Sequence, residues 1–510
     1  MRAAARRLRS ERQPSIPPLD HERGAQTFDA AGSGESGGDL RKSPPHIVRT
    51  TRETDDQDFL QFSGSRGLQV TPIVIGVDFG TSCTKVVCQS PYKLAGRAVV
   101  VPFEKAGHPS CCYFLPTRVG MTADDHLLLT PPAQATTVFR HLKVGILDQF
   151  PDGGQRRAVD FTEDPSVYAA GYLALTLRET RRWFLRTQSD SYGMDPLRWS
   201  LNLGVPSAGY AGYDDEAIHA EFEAIAKTAW QVSLEPEPFK LQHVSDVLRT
   251  ARAVGDSGET HIRVIPEVAA QVVGYAKSRY REEGLHVLVD LGASTLDICS
   301  FLLRSVEGAD TYAMLTADVT RLGLLNLHQR RMTAVGRKVP FDRVPEDIVL
   351  ALPSWDASQL ADQDMVRELT ACDDRFTKEC VRRLCGTIRD LRMRRDPRSS
   401  RWKDGLPVFV AGGGAHSTIF ANFVPAVDTA AKGFWNMQGV HERRLPVPPL
   451  ANLDDLIGNP AVYTRLGVAY GLSFDEQNIG PVERPPETPD LDPPKEGGRG
   501  PDRYISKDQV

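Results

Sequence analysis

One short plan occurs twice in this chain and limits what it can fold into. Ile75-Gly76-Val77-Asp78-Phe79-Gly80-Thr81-Ser82 and Val287-Leu288-Val289-Asp290-Leu291-Gly292-Ala293-Ser294 both carry a β-branched strand, an Asp at its end, an apolar residue, a Gly, then small or hydroxylated residues. The two aspartates lie 290 − 78 = 212 residues apart in a chain of 510. Matched segments at that distance point to two related units. Strand-like pattern resumes after each turn, at Thr84 to Cys88 and at Thr295 to Leu303, so each copy is expected to be a hairpin with Gly at its tight point. A turn of Gly, Ser and Thr aims several N–H groups and hydroxyls at one spot, as a phosphate requires. An Asp at its mouth suits a divalent cation held through water, because magnesium gives up water reluctantly. Two such turns facing each other would clamp a polyphosphate.

An isolated D-x-G turn is ordinarily a plain hairpin, but duplication with matched flanks argues against that here. Asp78-Phe79-Gly80 also spells a protein-kinase triplet. No HRD loop, VAIK strand or Walker A accompanies it, which sets those nucleotide folds aside. A third element is Pro407-Val408-Phe409-Val410-Ala411-Gly412-Gly413-Gly414-Ala415, a buried-strand run ending in glycines, with helical spacing from His416 to Val424. Such a strand-to-helix junction lets a flat or anionic ligand approach the backbone.

With 61 Lys+Arg against 66 Asp+Glu the net charge is −5, so no global pull toward nucleic acid or anionic lipid exists. Charges or glycines interrupt every apolar stretch before it could span a bilayer, and the eight cysteines show no paired CxxC pattern. The expectation is a cytoplasmic protein without membrane or nucleic-acid partners. Residues 1–70 lack any sustained apolar period and are expected to be a disordered arm, whose Gly32 to Gly37 GxGxxG is linker. The Pro-rich segment 478–510 is expected to be a disordered tail. The arginines from Arg389 to Arg401 read as a solvated helix end, Tyr168 to Leu185 as a packing helix, and no histidine pair has metal-ligand spacing.

The three elements, in this order, resemble the actin and heat shock protein 70 ATPase superfamily over residues 73–474. Ile73 to Val86 resembles its first phosphate motif, Val287 to Ser300 the second, and Val408 to Phe420 the adenosine motif. Val264 to Ala270 is similar to the first connecting helix, and Thr464 to Phe474 (TRLGVAYGLSF) to the second. Phe139 to Lys143 is similar to the catalytic-lysine segment of the chaperone branch, and Leu203 to Ser207 to its V-P strand end. Four positions depart from the family pattern: Ser294 stands where Gly is usual, Glu267 lacks the following Pro, Lys85 follows actin-like spacing, and Lys378 to Leu384 matches the adenine helix loosely. No peptide-binding sandwich is expected after Phe474.

The resemblance implies an α/β, two-lobed actin-like ATPase with duplicated ribonuclease-H-like lobes and a nucleotide cleft between them. Lobe I would be 71–264 plus about 455–474, and lobe II 265–450. It implies ATP/ADP and Mg2+ as ligands and Lys143, Glu267 and Asp290 as catalytic. Asp78, Gly80, Thr81, Ser82, Lys85, Gly292, Ser294, Thr295, Asp297, Gly412, Gly413 and Gly414 would bind nucleotide, with Asp78 and Asp290 reaching the metal through water. The expected activity is ATP hydrolysis driving lobe opening and closing, with an unidentified protein partner or client. A small-molecule kinase on the same fold and a non-hydrolysing or actin-like scaffold stand as alternatives.

Overall fold

The computed structural model describes residues 70–93, 97–107, 111–129, 137–150, 161, 163–192, 197–206, 215–254, 261–306, 309–336, 363–417, 420–435, 437–446, 449–453, 460–480 and 482–483. The expected arm apart from Val70, most of the expected tail, the Gly32 to Gly37 segment and Ser207 lie outside them.

The chain is a mixed α/β fold built on two sheets of one design. Strands β1 (Thr71–Phe79), β2 (Cys83–Gln89), β3 (Ala98–Val100), β4 (Leu197–Val205) and β5 (Ile262–Pro266) form the first, in the order β3-β2-β1-β4-β5. Strands β6 (Gly284–Leu291), β7 (Leu296–Val306), β8 (Ala309–Thr320), β9 (Leu406–Ala411) and β10 (Val440–Arg443) form the second, in the order β8-β7-β6-β9-β10. Each begins with an antiparallel meander of three strands and adds two parallel ones on the far side of the first strand. The duplication read in two turns therefore extends to whole sheets. Leu115–Pro116 pairs with β2, and a further sheet of three short strands includes Thr137–Arg140.

β1 and β6 are central and covered on both faces, which is why they read as near-continuous apolar runs instead of alternating. Helices Pro165–Thr187, Asp215–Val232 and Leu241–Val254 bury one face of the first sheet, with Phe79, Tyr172, Phe184 and Phe222 in its core. Asp164 caps the first of them, accepting from the Ser166 N–H at 3.0 Å, and Pro165 follows at the position where a missing N–H costs nothing. Helices Leu324–Ala334, Gln363–Asp390 and Phe423–Trp435 cover the second sheet, around Leu384, Val408 and Phe423. The remaining faces take two crossing helices, Glu267–Ala276 and Gly467–Leu472. Two glycines make that layer possible. A β-carbon on Gly76 of β1 would stand 2.5 Å from Ala469 O, and one on Gly471 would stand 1.7 Å from Ala270 O.

Three sequence-based boundaries shift. β5 runs to Pro266 within the first sheet, so the 264/265 division cuts a strand, and the Glu267–Ala276 helix starts at its end. Val482–Glu483 pairs with β8, so the fold continues past residue 477. The helix expected from His416 starts at Phe423, after a 3-10 turn over Gly413–His416. The exposed arginines Arg389, Arg394 and Arg398 lie at and beyond the end of Gln363–Asp390, and the eight cysteines are free thiols. Among the described residues no helix is long and apolar enough to cross a membrane.

His286 ties the core of the second sheet to pH. It is fully buried, with its ring stacked on Phe301 and Phe409 at centroid distances of 5.3 and 5.7 Å, and Nδ1 lies 2.8 Å from Gly284 O. Burial, aided by Arg401 and Arg443 and opposed by the Gly284 carbonyl and Glu282, pushes its pKa down to about 4. A folded-state pKa below the unfolded value of about 6.5 gives stability that is present above pH 6.5 and lost as pH falls through the folded value. Replacing it by Phe is expected to remove up to roughly 3 kcal/mol of that acid loss. Urea midpoints at pH 7 and pH 4.5 measure it, and equal acid sensitivity in parent and variant would contradict it.

Candidate functional site

In each sheet the parallel and antiparallel halves meet at the strand that ends in Asp, and a cleft at the carboxyl end of strands is expected at such a point. Both repeated turns line one cleft. In the first, Gly80 N–H bonds Asp78 O at 3.0 Å, and a β-carbon at Gly80 would stand 2.6 Å from Cys83 O. Thr117 braces it, its hydroxyl donating to Gly80 O at 2.7 Å and its N–H to Ser82 O at 2.9 Å. In the second, Gly292 N–H bonds Thr295 O at 2.9 Å, while the N–H groups of Gly323, Leu324 and Leu325 satisfy Ser294, Gly292 and Ala293 carbonyls. The start of the Leu324–Ala334 helix thus holds the turn from behind. The turns meet directly: Thr81 Oγ1 and Ser294 Oγ lie 3.1 Å apart.

The hairpins match in register and differ in charge. Asp78 stands across from Lys85 and Asp290 across from Asp297, seven residues on in each case (85 − 78 and 297 − 290). The first pair is an ion pair at 2.8 Å. The second sets two carboxyls opposite each other, an unfavourable arrangement that folding alone would not select.

Lys143 arrives from outside both sheets. His141 takes a left-handed backbone (φ 55°), rare for a non-glycine, and turns the chain from the strand Thr137–Arg140 into the helix Leu142–Leu147. Leu142 and Ile146 enter the core of the first sheet, Val144 that of the second, and Asp148 pairs with Arg321 beyond β8. Lys143 is thereby fixed, with Nζ 2.5 Å from Glu267 Oε1 at the first residue of the crossing helix.

Burial opposes the Lys143 ammonium, but Glu267, Asp78 and Asp297 more than offset it and hold its pKa above the ordinary lysine value. The lysine is charged. Burial, then Glu267 and Asp78, raise Asp290 to about 6; burial, then Asp290 and Glu267, raise Asp297 to about 8. Ser82 Oγ and Asp297 Oδ1 are buried without a hydrogen-bond partner. A donor and an acceptor left orphaned in one cleft fit an anion and a cation respectively. Among the described residues no three His, Cys, Asp or Glu side chains are grouped to ligate a metal directly.

Of the residues singled out from sequence, Asp78, Gly80, Thr81, Ser82, Lys85, Lys143, Glu267, Asp290, Gly292, Ser294, Thr295, Asp297, Gly412 and Gly413 all line this cleft. Gly414 does not. Its β-carbon position faces Leu291 Cβ at 2.9 Å, so it serves the packing of β9 against β6 rather than ligand approach. Gly412 has φ 81°, and a β-carbon there would lie 2.1 Å from Asp290 Oδ1. Sequence reading missed Gln271 and Arg465, which also line the cleft. Gln271 lies one turn after Glu267, and Arg465 is the second residue of the segment read only as a connecting helix.

Compared with known proteins, the chain matches no family model and no curated sequence at a significant level.

Proposed function

We propose that this protein is a magnesium-dependent ATPase on a two-lobed, actin-like fold, close in kind to the ATPase unit of heat shock protein 70, in which hydrolysis biases the lobes between closed and open. The observation that carries the reading is the meeting of two equivalent Asp-x-Gly turns, from two sheets of equal strand order, with a charged lysine in one cleft. The Ser82, Thr81 and Ser294 hydroxyls and the turn N–H groups hold phosphate oxygens. Gly412 and Gly413 admit the nucleoside side.

Asp78 and Asp290 would hold magnesium through its water shell, and the ion, when bound, would screen the charge between phosphates. Asp290, with a pKa near 6, is suited to accept a proton from an attacking water at neutral pH. Glu267, anchored by Lys143 at 2.5 Å, orients that water. The Lys143 ammonium stabilises charge that grows on the transferred phosphoryl. The helix Glu267–Ala276 packs on the second sheet, Gly467–Leu472 packs on the first, and the two cross at Ala270 and Gly471, so a ligand gripping both turns acts on the angle between them.

Purified full-length chain is expected to gain thermal stability from ATP only with Mg2+ and to release phosphate with no added acceptor. Stabilisation without release would leave a nucleotide-binding scaffold. Release only with an added hydroxyl compound would move the reading to a small-molecule kinase.

A further inference from the structure

We propose that Arg465 is an anion-binding, specificity-determining residue of this cleft, gripping a phosphate that stays with the nucleoside after hydrolysis; this rests on the nucleotide reading above. Among the described residues, three cationic side chains line the cleft: Lys85, Lys143 and Arg465. Lys85 is committed to Asp78 at 2.8 Å and Lys143 to Glu267 at 2.5 Å. Arg465 makes no ion pair and no hydrogen bond to any described residue. Its guanidinium lies over the Phe114 ring, 4.2 Å from the centroid. Beside it is Gly413, whose β-carbon position is 3.4 Å from Nε and 3.7 Å from Cζ. A planar cation resting on an aromatic ring and next to bare backbone keeps its orientation while its donors stay open, the geometry suited to a phosphate.

The mounting is firm. Arg465 sits in the 3-10 turn Thr464–Leu466, whose Leu466 is fully buried, and the preceding Tyr463 hydroxyl donates to Leu453 O at 3.0 Å. Lys85 and Lys143 are the cations that bear on Asp290, whereas Arg465 stands beside Gly413, at the end of β9. It therefore meets a phosphate on the nucleoside side rather than the one transferred.

The test uses full-length Arg465→Gln and Arg465→Lys with Mg-ADP, adenosine and pyrophosphate as separate probes in calorimetric titration. Arg465→Gln is expected to weaken Mg-ADP and pyrophosphate by about tenfold or more and to leave adenosine unchanged, with Arg465→Lys in between. Its ligand-free melting temperature should stay close to the parent's, since no ion pair or hydrogen bond to a described residue is lost, only the contact with Phe114. Unchanged Mg-ADP affinity, or an equal loss for adenosine, overturns the proposal. If pyrophosphate binds through Arg465 but no nucleotide binds, the anion site stands and the ATPase reading falls. If the parent binds none of the three, both fall.

Discussion

Lys143→Ala is expected to slow phosphate release by about 10²-fold while changing ATP affinity by less than about tenfold. The ammonium is held charged by surrounding carboxylates, so it is ready to oppose negative charge that appears only in the transition state. Its loss leaves Glu267 unpaired in a buried site. Burial already drives that carboxyl toward its neutral form, so the variant can take up a proton there instead of unfolding. Single-turnover phosphate release and a separate binding titration distinguish the two effects. Lys85→Ala is the comparison: Lys85 pairs with Asp78 in the first hairpin, and an exchange of phenotypes would transfer the role to it. A parent rate unaffected by either substitution removes lysine from the chemistry.

Gly471→Val is expected to abolish folding or to lower stability by more than about 4 kcal/mol, a large part of what a typical domain has. The added β-carbon would stand 1.7 Å from Ala270 O and 2.5 Å from Ala270 C, both backbone atoms of the partner helix. No rotamer change relieves a clash with backbone, so the helices must separate. Gly433 offers the contrast. It is exposed on the helix Phe423–Trp435 with nothing near its β-carbon position, and Gly433→Ala should raise stability by about 0.5–1 kcal/mol. Soluble yield and urea midpoints report both. A Gly471→Val protein with the parent midpoint would refute the close crossing.

The turns were legible because their constraints are local. A tight hairpin needs Gly at one position, and its cargo needs hydroxyls beside it, so Asp78 to Ser82 and Asp290 to Thr295 announce themselves. Lys143 was legible only through resemblance, since nothing in its surroundings reveals that His141 bends the chain toward the cleft. Arg465 was not legible: its meaning lies in Phe114 and Gly413, and no periodicity links three such distant positions. Gly414 looked like part of a ligand-binding triplet, yet a glycine required for packing on Leu291 is the same letter. The strand Val482–Glu483 escaped notice because a two-residue edge pairing beside prolines has no pattern of its own.

Thr81 and Ser294 are also the place where the two halves of the duplication touch. Their hydroxyls lie 3.1 Å apart, one from each repeated turn, so the contact joins one sheet to the other. A neutral bond of this kind is worth about 1 kcal/mol, small enough to break many times before a ligand arrives. On the proposed nucleotide reading, phosphate oxygens would compete for the same two hydroxyls, and binding would exchange a contact between the turns for contacts to the ligand.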